Sequence, residues 1–228
     1  MKYFEKVPAV ILLADGTAFH GKSAGKIGTT VGEICFNTGM TGYQEIFTDP
    51  SYFGQILVTT NAHIGNYGTL AENMESADVK ISGLICKNFT NLFSRPMADA
   101  PIQEFFLDQN LVAISDVDTR AIVRHIRDKG AMNCIISSEN HSLEELQKRL
   151  DETPSMDGLE LGSKVSTSEP YFFGDENAAK KVAVLDVGVK KSILKNLTDR
   201  GCYLQIFPAK TPFEKINQWK PYGNFLSK

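Results

Sequence analysis

The side chains best suited to nucleophilic or metal chemistry are few and far apart. Cys35, Cys86, Cys134 and Cys202 form no C-x-x-C pair and have no histidine cluster beside them, so neither a zinc site nor a disulfide framework is indicated. A thiol can still act as a nucleophile, because its catalytic partners need only be near in space. Cys35 lies in Ile34-Cys35-Phe36 and Cys86 in Leu84-Ile85-Cys86, apolar strand-like runs that favour packing; all four are read as reduced, mostly buried thiols. His20, His63, His125 and His141 are scattered, none at a spacing that suggests a metal site or an activated nucleophile. Asp116 and Asp118 could form a carboxylate pair for acid–base work, but alternate residues at a strand end diverge, and Asp118 is placed to cap the helix that follows. Asp186-Val187-Gly188 followed by Lys190-Lys191 invites a phosphate-loop reading. That stretch carries neither the G-x-x-x-x-G-K-[ST] nor the G-x-G-x-x-G pattern, so a nucleotide site there is unsupported, and the two lysines are expected to begin a solvated helix face.

The stretch that organises these positions runs from Gly32 to Gln55 and reads as loop-rich rather than as a helix or strand. Gly32, Gly39, Gly42 and Gly54 break it, and Asp49-Pro50-Ser51 is a turn whose proline pre-sets φ. Its aromatics (Phe36, Tyr43, Phe47, Tyr52, Phe53) are compatible with a binding or active-site loop, or with a folded turn region covering a core edge.

Around it, Val7–Leu13 reads as a strand turning at Ala14–Thr17 into Ala18–Gly21, and Gln55–Thr60 and Ile81–Lys87 as further strands. Leu70–Val79, with Glu72, Glu75 and Asp78, reads as a solvated surface segment. Strand and helix then alternate: a helix over Pro101–Asn110, a strand over Leu111–Ser115, a helix over Thr119–Arg127 stopped by Gly130, and a strand over Asn133–Ser138. Ser142-Leu143-Glu144-Glu145 is a capping box opening a helix with Leu143, Leu146 and Leu150 inward. After Asp151 a polar, turn-rich tract marks a domain boundary. From Val182 the pattern becomes that of a parallel α/β unit: strand Val182–Gly188, helix Val189–Asp199, strand Cys202–Phe207, helix Pro212–Trp219 and a third strand Gly223–Ser227. The fold class is therefore α/β: a mixed, β-rich domain over residues 1–150, a linker over 151–181, and an incomplete flavodoxin-like parallel unit over 182–228.

At 228 residues, with 42% hydrophobic and 22% charged residues, the composition is that of an ordinary globular protein. A net charge of −3 gives no electrostatic case for nucleic acid or an anionic membrane surface. The apolar run Val7–Ala14 is too short to span a bilayer and has no signal-peptide cleavage pattern, so a cytoplasmic location is expected.

Gly32-Glu33, Phe36-Asn37-Thr38-Gly39-Met40-Thr41-Gly42-Tyr43-Gln44-Glu45, Thr48-Asp49-Pro50-Ser51-Tyr52 and Ile64-Gly65-Asn66-Tyr67-Gly68 together closely resemble the amino-terminal domain of the small, glutamine-hydrolysing subunit of carbamoyl-phosphate synthetase. The resemblance continues through Asp118-Thr119-Arg120, Arg127–Ala131 and Val182–Ser227, so it covers nearly the whole chain. It implies a subunit that hydrolyses L-glutamine and passes ammonia to a large subunit for carbamoyl phosphate synthesis, in arginine and pyrimidine biosynthesis. ATP and Mg are then expected on the large subunit, and no cofactor on this chain. Residues 182–228 resemble the start of a class I glutamine amidotransferase domain, whose cysteine, histidine and acidic residue lie downstream in the family. No catalytic residue is therefore assigned here, and the chain alone is expected to be inactive. The family's Gly-Pro-Gly loop follows the third strand, where Lys228 stands in place of the family's asparagine. One functional position carries over: the serine of the Asp-Pro-Ser-Tyr turn, Ser51, is implied to bind glutamine, a task a hydroxyl suits because it donates and accepts. The alternative is a non-catalytic module that only docks to the large subunit. Ending where it does, the third strand is expected to lie at a sheet edge, leaving 182–228 less stable than 1–150.

Overall fold

A computed structural model describes residues 6–227; the expectation attached to Lys228 lies outside them. The chain divides into two compact units, one comprising residues 1–48 and 54–158, the other residues 49–53 and 159–228.

The first unit opens with the hairpin β1 (Pro8–Leu13) and β2 (Ala18–Gly25), followed by β3 (Thr29–Asn37) and the short helix α1 (Tyr43–Thr48). Then come β4 (Gln55–Thr59), β5 (His63–Ile64), β6 (Gly83–Ile85), β7 (Asn88–Phe89), α2 (Ile102–Asp108), β8 (Val112–Ser115), α3 (Thr119–Lys129), β9 (Asn133–Ser137) and α4 (Leu143–Asp151). Seven strands close into a barrel in the order β1-β2-β8-β6-β4-β3-β9. The run β3-β4-β6-β8 is parallel and the other pairings are antiparallel. Period-2 alternation sends Ile11 and Leu13, Ile34, Ile56 and Val58, Ile85, Ile114, Cys134 and Ile136 into one cluster, joined by Ile122 and Ile126 of α3. The opposite faces of β1 and β9 bury Leu12 and Ile135 beneath Leu146 and Leu150 of α4. Closure removes the edges that a sheet with such strands would otherwise expose.

The caps of α3 and α4 form as expected, while Leu143, expected to face inward with Leu146 and Leu150, is exposed because it opens the first turn of α4. The Asp118 carboxylate accepts from Ala121 N at 3.0 Å, and Gly130, at φ +95°, ends α3. Ser142 and Glu145 exchange both bonds of the capping box. The stretch from Gly32 is a correction: its first residues belong to β3 and Tyr43–Thr48 is helical. Glycines masked the alternation there, and Gly32 is required because a Cβ would collide with the Gly54 carbonyl oxygen.

In the second unit, Pro50–Tyr52 forms a single 3₁₀ turn. It is followed by α5 (Gly162–Val165), β10 (Tyr171–Phe173), β11 (Lys180–Asp186), α6 (Lys191–Thr198), β12 (Cys202–Pro208), α7 (Phe213–Asn217) and β13 (Gly223–Leu226). The sheet order is β10-β12-β11-β13, with β11 parallel to both β12 and β13 and β10 antiparallel to β12. The antiparallel β10 and the helix α5 fall in residues 151–181, which the sequence reads as a linker. Val184, Leu204 and Ile206 pack beneath Val189 and Leu194 on one sheet face; Ala183 and Phe207 meet Ile216 of α7 on the other. α6 starts at Lys191, two residues later than periodicity suggests, because the Asp186 side chain holds the intervening turn.

Candidate functional site

The side chains with the most specific surroundings gather at the carboxyl end of β11. In open α/β sheets this is the end where ligands bind. Asp186 is 5% exposed, and its Oδ1 accepts from Gly188 N at 2.9 Å and Val189 N at 2.8 Å, while Oδ2 accepts from Thr167 N at 2.7 Å. Three backbone donors thus satisfy a carboxylate that would be costly to bury alone. Ser227, also buried, accepts from Val187 N at 2.8 Å and donates to the Leu185 carbonyl at 3.2 Å, fastening the end of β13 to that of β11. Gly188 has φ +106°, and a Cβ there would lie 2.9 Å from Val165 Cγ2 and 3.1 Å from Pro50 Cβ. The proline of the Asp-Pro-Ser turn therefore lies directly against the strand-to-helix bend.

That turn is held by one carboxylate. Asp49 Oδ1 accepts from Ser51 N at 2.9 Å as the cap of the 3₁₀ turn, and Oδ2 forms an ion pair with Lys190 Nζ at 3.3 Å. The Asp49 side chain is largely buried and that of Lys190 partly exposed. Lys190 is thus not the plain solvated residue the sequence suggested; only Lys191 beside it is exposed. Ser51 is exposed, and among the described residues its hydroxyl makes no hydrogen bond. A hydroxyl that both donates and accepts, on a turn whose capping carboxylate is paired with an ammonium, can hold a small polar ligand by hydrogen bonds.

The other candidates are dispersed. Burial, reinforced by Glu33, pushes the Cys35 thiol up to about 12; burial also pushes Cys86 up to about 12 and Cys134 well above the usual thiol range. Cys202 packs in the core beneath α6. Because the thiolate is the nucleophile, Cys35, Cys86 and Cys134 are held in the unreactive thiol form. His125 Nε2 lies 2.6 Å from Asp15, and His141 lies 3.6 Å from Glu139 and 3.8 Å from Glu145, surface pairs in the first unit. His20 and His63 are exposed. Asp116 pairs with Lys6 at 3.1 Å while Asp118 caps α3, so the two aspartates do not act together. Among the described residues no group of three metal-ligating side chains comes together, and no helix is long and apolar enough to cross a membrane.

Sequence reasoning missed Asp49, Lys190 and Asp186 as one constellation. Asp49 and Lys190 are 141 positions apart, and the usable signal was local: a D-P-S turn and an aspartate closing an apolar strand.

Residues 11–136 match the family described as carbamoyl-phosphate synthase small chain, CPSase domain. The chain is 41% identical over its whole length to the carbamoyl phosphate synthase small chain of Synechococcus sp. (strain PCC 6301), covering 61% of that protein. It is 42% identical to that of Buchnera aphidicola subsp. Schizaphis graminum, over 96% of this chain and 61% of the relative. Against that of Escherichia coli K12 the identity is 40%, over 96% of this chain and 62% of the relative. The chain thus spans about three fifths of the length of these relatives. With a family match over more than half of its residues and this identity along its length, the chain belongs to the carbamoyl-phosphate synthase small chain family.

Proposed function

We propose that the protein carrying these residues is the glutamine-hydrolysing small subunit of carbamoyl-phosphate synthetase, supplying ammonia from L-glutamine to a large subunit. The ATP- and Mg-dependent steps of carbamoyl phosphate synthesis are assigned to that partner, in the cytoplasm, for arginine and pyrimidine biosynthesis. Residues 1–150 are assigned to the family's amino-terminal domain, and 182–228 to part of a flavodoxin-like class I glutamine amidotransferase domain joined to it through 151–181. The reading rests on the Ser51 turn being fixed at the carboxyl end of β11 within a chain related to small chains along its length. In it, the Ser51 hydroxyl hydrogen-bonds glutamine. The nucleophile, its base and its acidic partner are assigned to the part of the relatives' length that this chain does not span. The burial of Cys86, Cys134 and Cys202 and the raised thiol of the half-buried Cys35 support that assignment, and equally support a docking role for residues 6–227 taken alone.

Replacing Ser51 in the full-length subunit tests the reading. Ser51→Ala removes one substrate hydrogen bond, at a cost of about 0.5–1.5 kcal/mol, more if the substrate group is left buried and unpaired. Steady-state glutaminase assays should show this as a raised KM for glutamine with kcat little changed. Unchanged glutamine kinetics would make Ser51 a turn residue only.

A further inference from the structure

Among the described residues the Ser51 hydroxyl makes no hydrogen bond, yet the Ser51 backbone and the Lys190 ammonium are both tied to a single carboxylate, that of Asp49. We propose that Asp49 is a positioning residue for glutamine, setting the Ser51 turn in the orientation that presents the hydroxyl to the substrate; the proposal rests on the reading of Ser51 given above.

The geometry separates what each oxygen of Asp49 does. Oδ1 caps Ser51 N at 2.9 Å, closing an Asx-type turn in which Tyr52 N also donates to the Asp49 carbonyl at 3.1 Å and Phe53 N to the Pro50 carbonyl at 3.1 Å. This fixes φ and ψ on both sides of Ser51, and so the direction of its Cα–Cβ bond. Oδ2 meets Lys190 Nζ at 3.3 Å, which anchors the turn to the residue preceding α6. Pro50 fills the space that Gly188 leaves open, so the turn has a fixed floor as well as a tether. In chain order residues 49–53 fall between α1 and β4 of the first unit, but they belong to the second unit by contact. Asp49 is the side chain that carries the polar half of that attachment. A partly exposed ion pair adds little stability by itself, which makes placement, rather than folding, its main consequence.

The variants Asp49→Ala, Asp49→Asn and Asp49→Glu, alone and combined with Ser51→Ala in the full-length small subunit bound to its large subunit, test this by glutamine KM and kcat. Asn retains an acceptor for Ser51 N; Glu retains the charge but moves the carboxylate by a methylene and loses the cap. Asp49→Ala should raise the glutamine KM about tenfold with kcat changed less than about twofold, Asp49→Glu should resemble it, and Asp49→Asn should raise KM less than either. In the Ser51→Ala background the Asp49→Ala effect should shrink to about twofold or less, because the hydroxyl it positions is gone. Should Asp49→Ala not fold, the Asn-against-Glu comparison carries the test: Glu milder than Asn overturns the proposal. It is also overturned if Ser51→Ala raises KM while Asp49→Ala does not, or if the two effects multiply in full; the reading of Ser51 then stands. If Ser51→Ala itself leaves KM unchanged, the reading of Ser51 fails and this inference falls with it.

Discussion

At the scale of single residues, Gly188 is tightly constrained. Its φ of +106° lies where an L side chain is strained, and the space a Cβ would need is taken by Val165 and Pro50. Gly188→Ala is therefore expected to destabilise the protein by about 2 kcal/mol or more, combining backbone strain with a forced shift of the Asp-Pro-Ser turn. Denaturant unfolding followed by a probe in the second unit checks it; a loss below about 0.5 kcal/mol would mean the bend relaxes freely. At the same bend the Asp186 carboxylate is taken up in holding the backbone, which is a structural task. Its oxygens are already occupied by Thr167, Gly188 and Val189 backbone donors. The turn at Ser51 could be seen in the sequence as a turn, because proline and aspartate encode it locally. Its attachment to Lys190 could not, because nothing local relates positions 141 apart.

At the scale of elements, helices with complete start signals were legible and short pieces without them were not. α4 opens with both halves of its capping box, Ser142 Oγ accepting from Glu145 N at 3.2 Å and Ser142 N donating to Glu145 Oε2 at 2.8 Å. Ser142→Ala should cost about 1 kcal/mol of stability in thermal or denaturant unfolding, and Ser142→Asp considerably less, since aspartate can cap as well. Equal losses for the two variants would remove the cap as the cause. α1, by contrast, has six residues and follows a run of glycines, so propensity could not announce it. Tertiary packing stabilises it instead: Tyr43 and Phe47 are buried, Tyr43 stacks on Tyr67 with centroids 4.0 Å apart, and the Tyr43 hydroxyl donates to the Gly68 carbonyl at 2.6 Å. β10, only three residues long and half exposed, forms because Tyr171–Phe173 pairs with Ile206–Leu204 of β12.

At the scale of the whole molecule, the two units differ in how completely their strands are paired. In the barrel every strand has a neighbour on both sides, and β8 is fully buried between β2 and β6. β13 has β11 on one side alone among the described residues, and Leu226 is 71% exposed. Amides of Val112–Ser115 should therefore exchange with solvent slowest and those of Gly223–Leu226 among the fastest of the strand amides, with β11 between them. Native-state hydrogen exchange decides this; equal protection in β8 and β13 would mean that the sheet of the second unit is as cooperative as the barrel.

By local chemistry alone the sequence encoded the apolar strands β1, β4, β8 and β9, the caps of α3 and α4, and the parallel pattern of β11 and β12. Its motifs also carried the family, through residues whose types and spacing run the length of the chain. Only the tertiary structure decided that seven strands close into a barrel, because closure depends on register between strands distant in sequence, such as β1 with β9 and β3 with β9. Only it joined Asp49, Pro50 and Ser51 to Gly188 and Lys190. Such a site is made by packing that cancels the sequence separation, and side-chain periodicity holds no record of which distant turn fills the space beside a glycine.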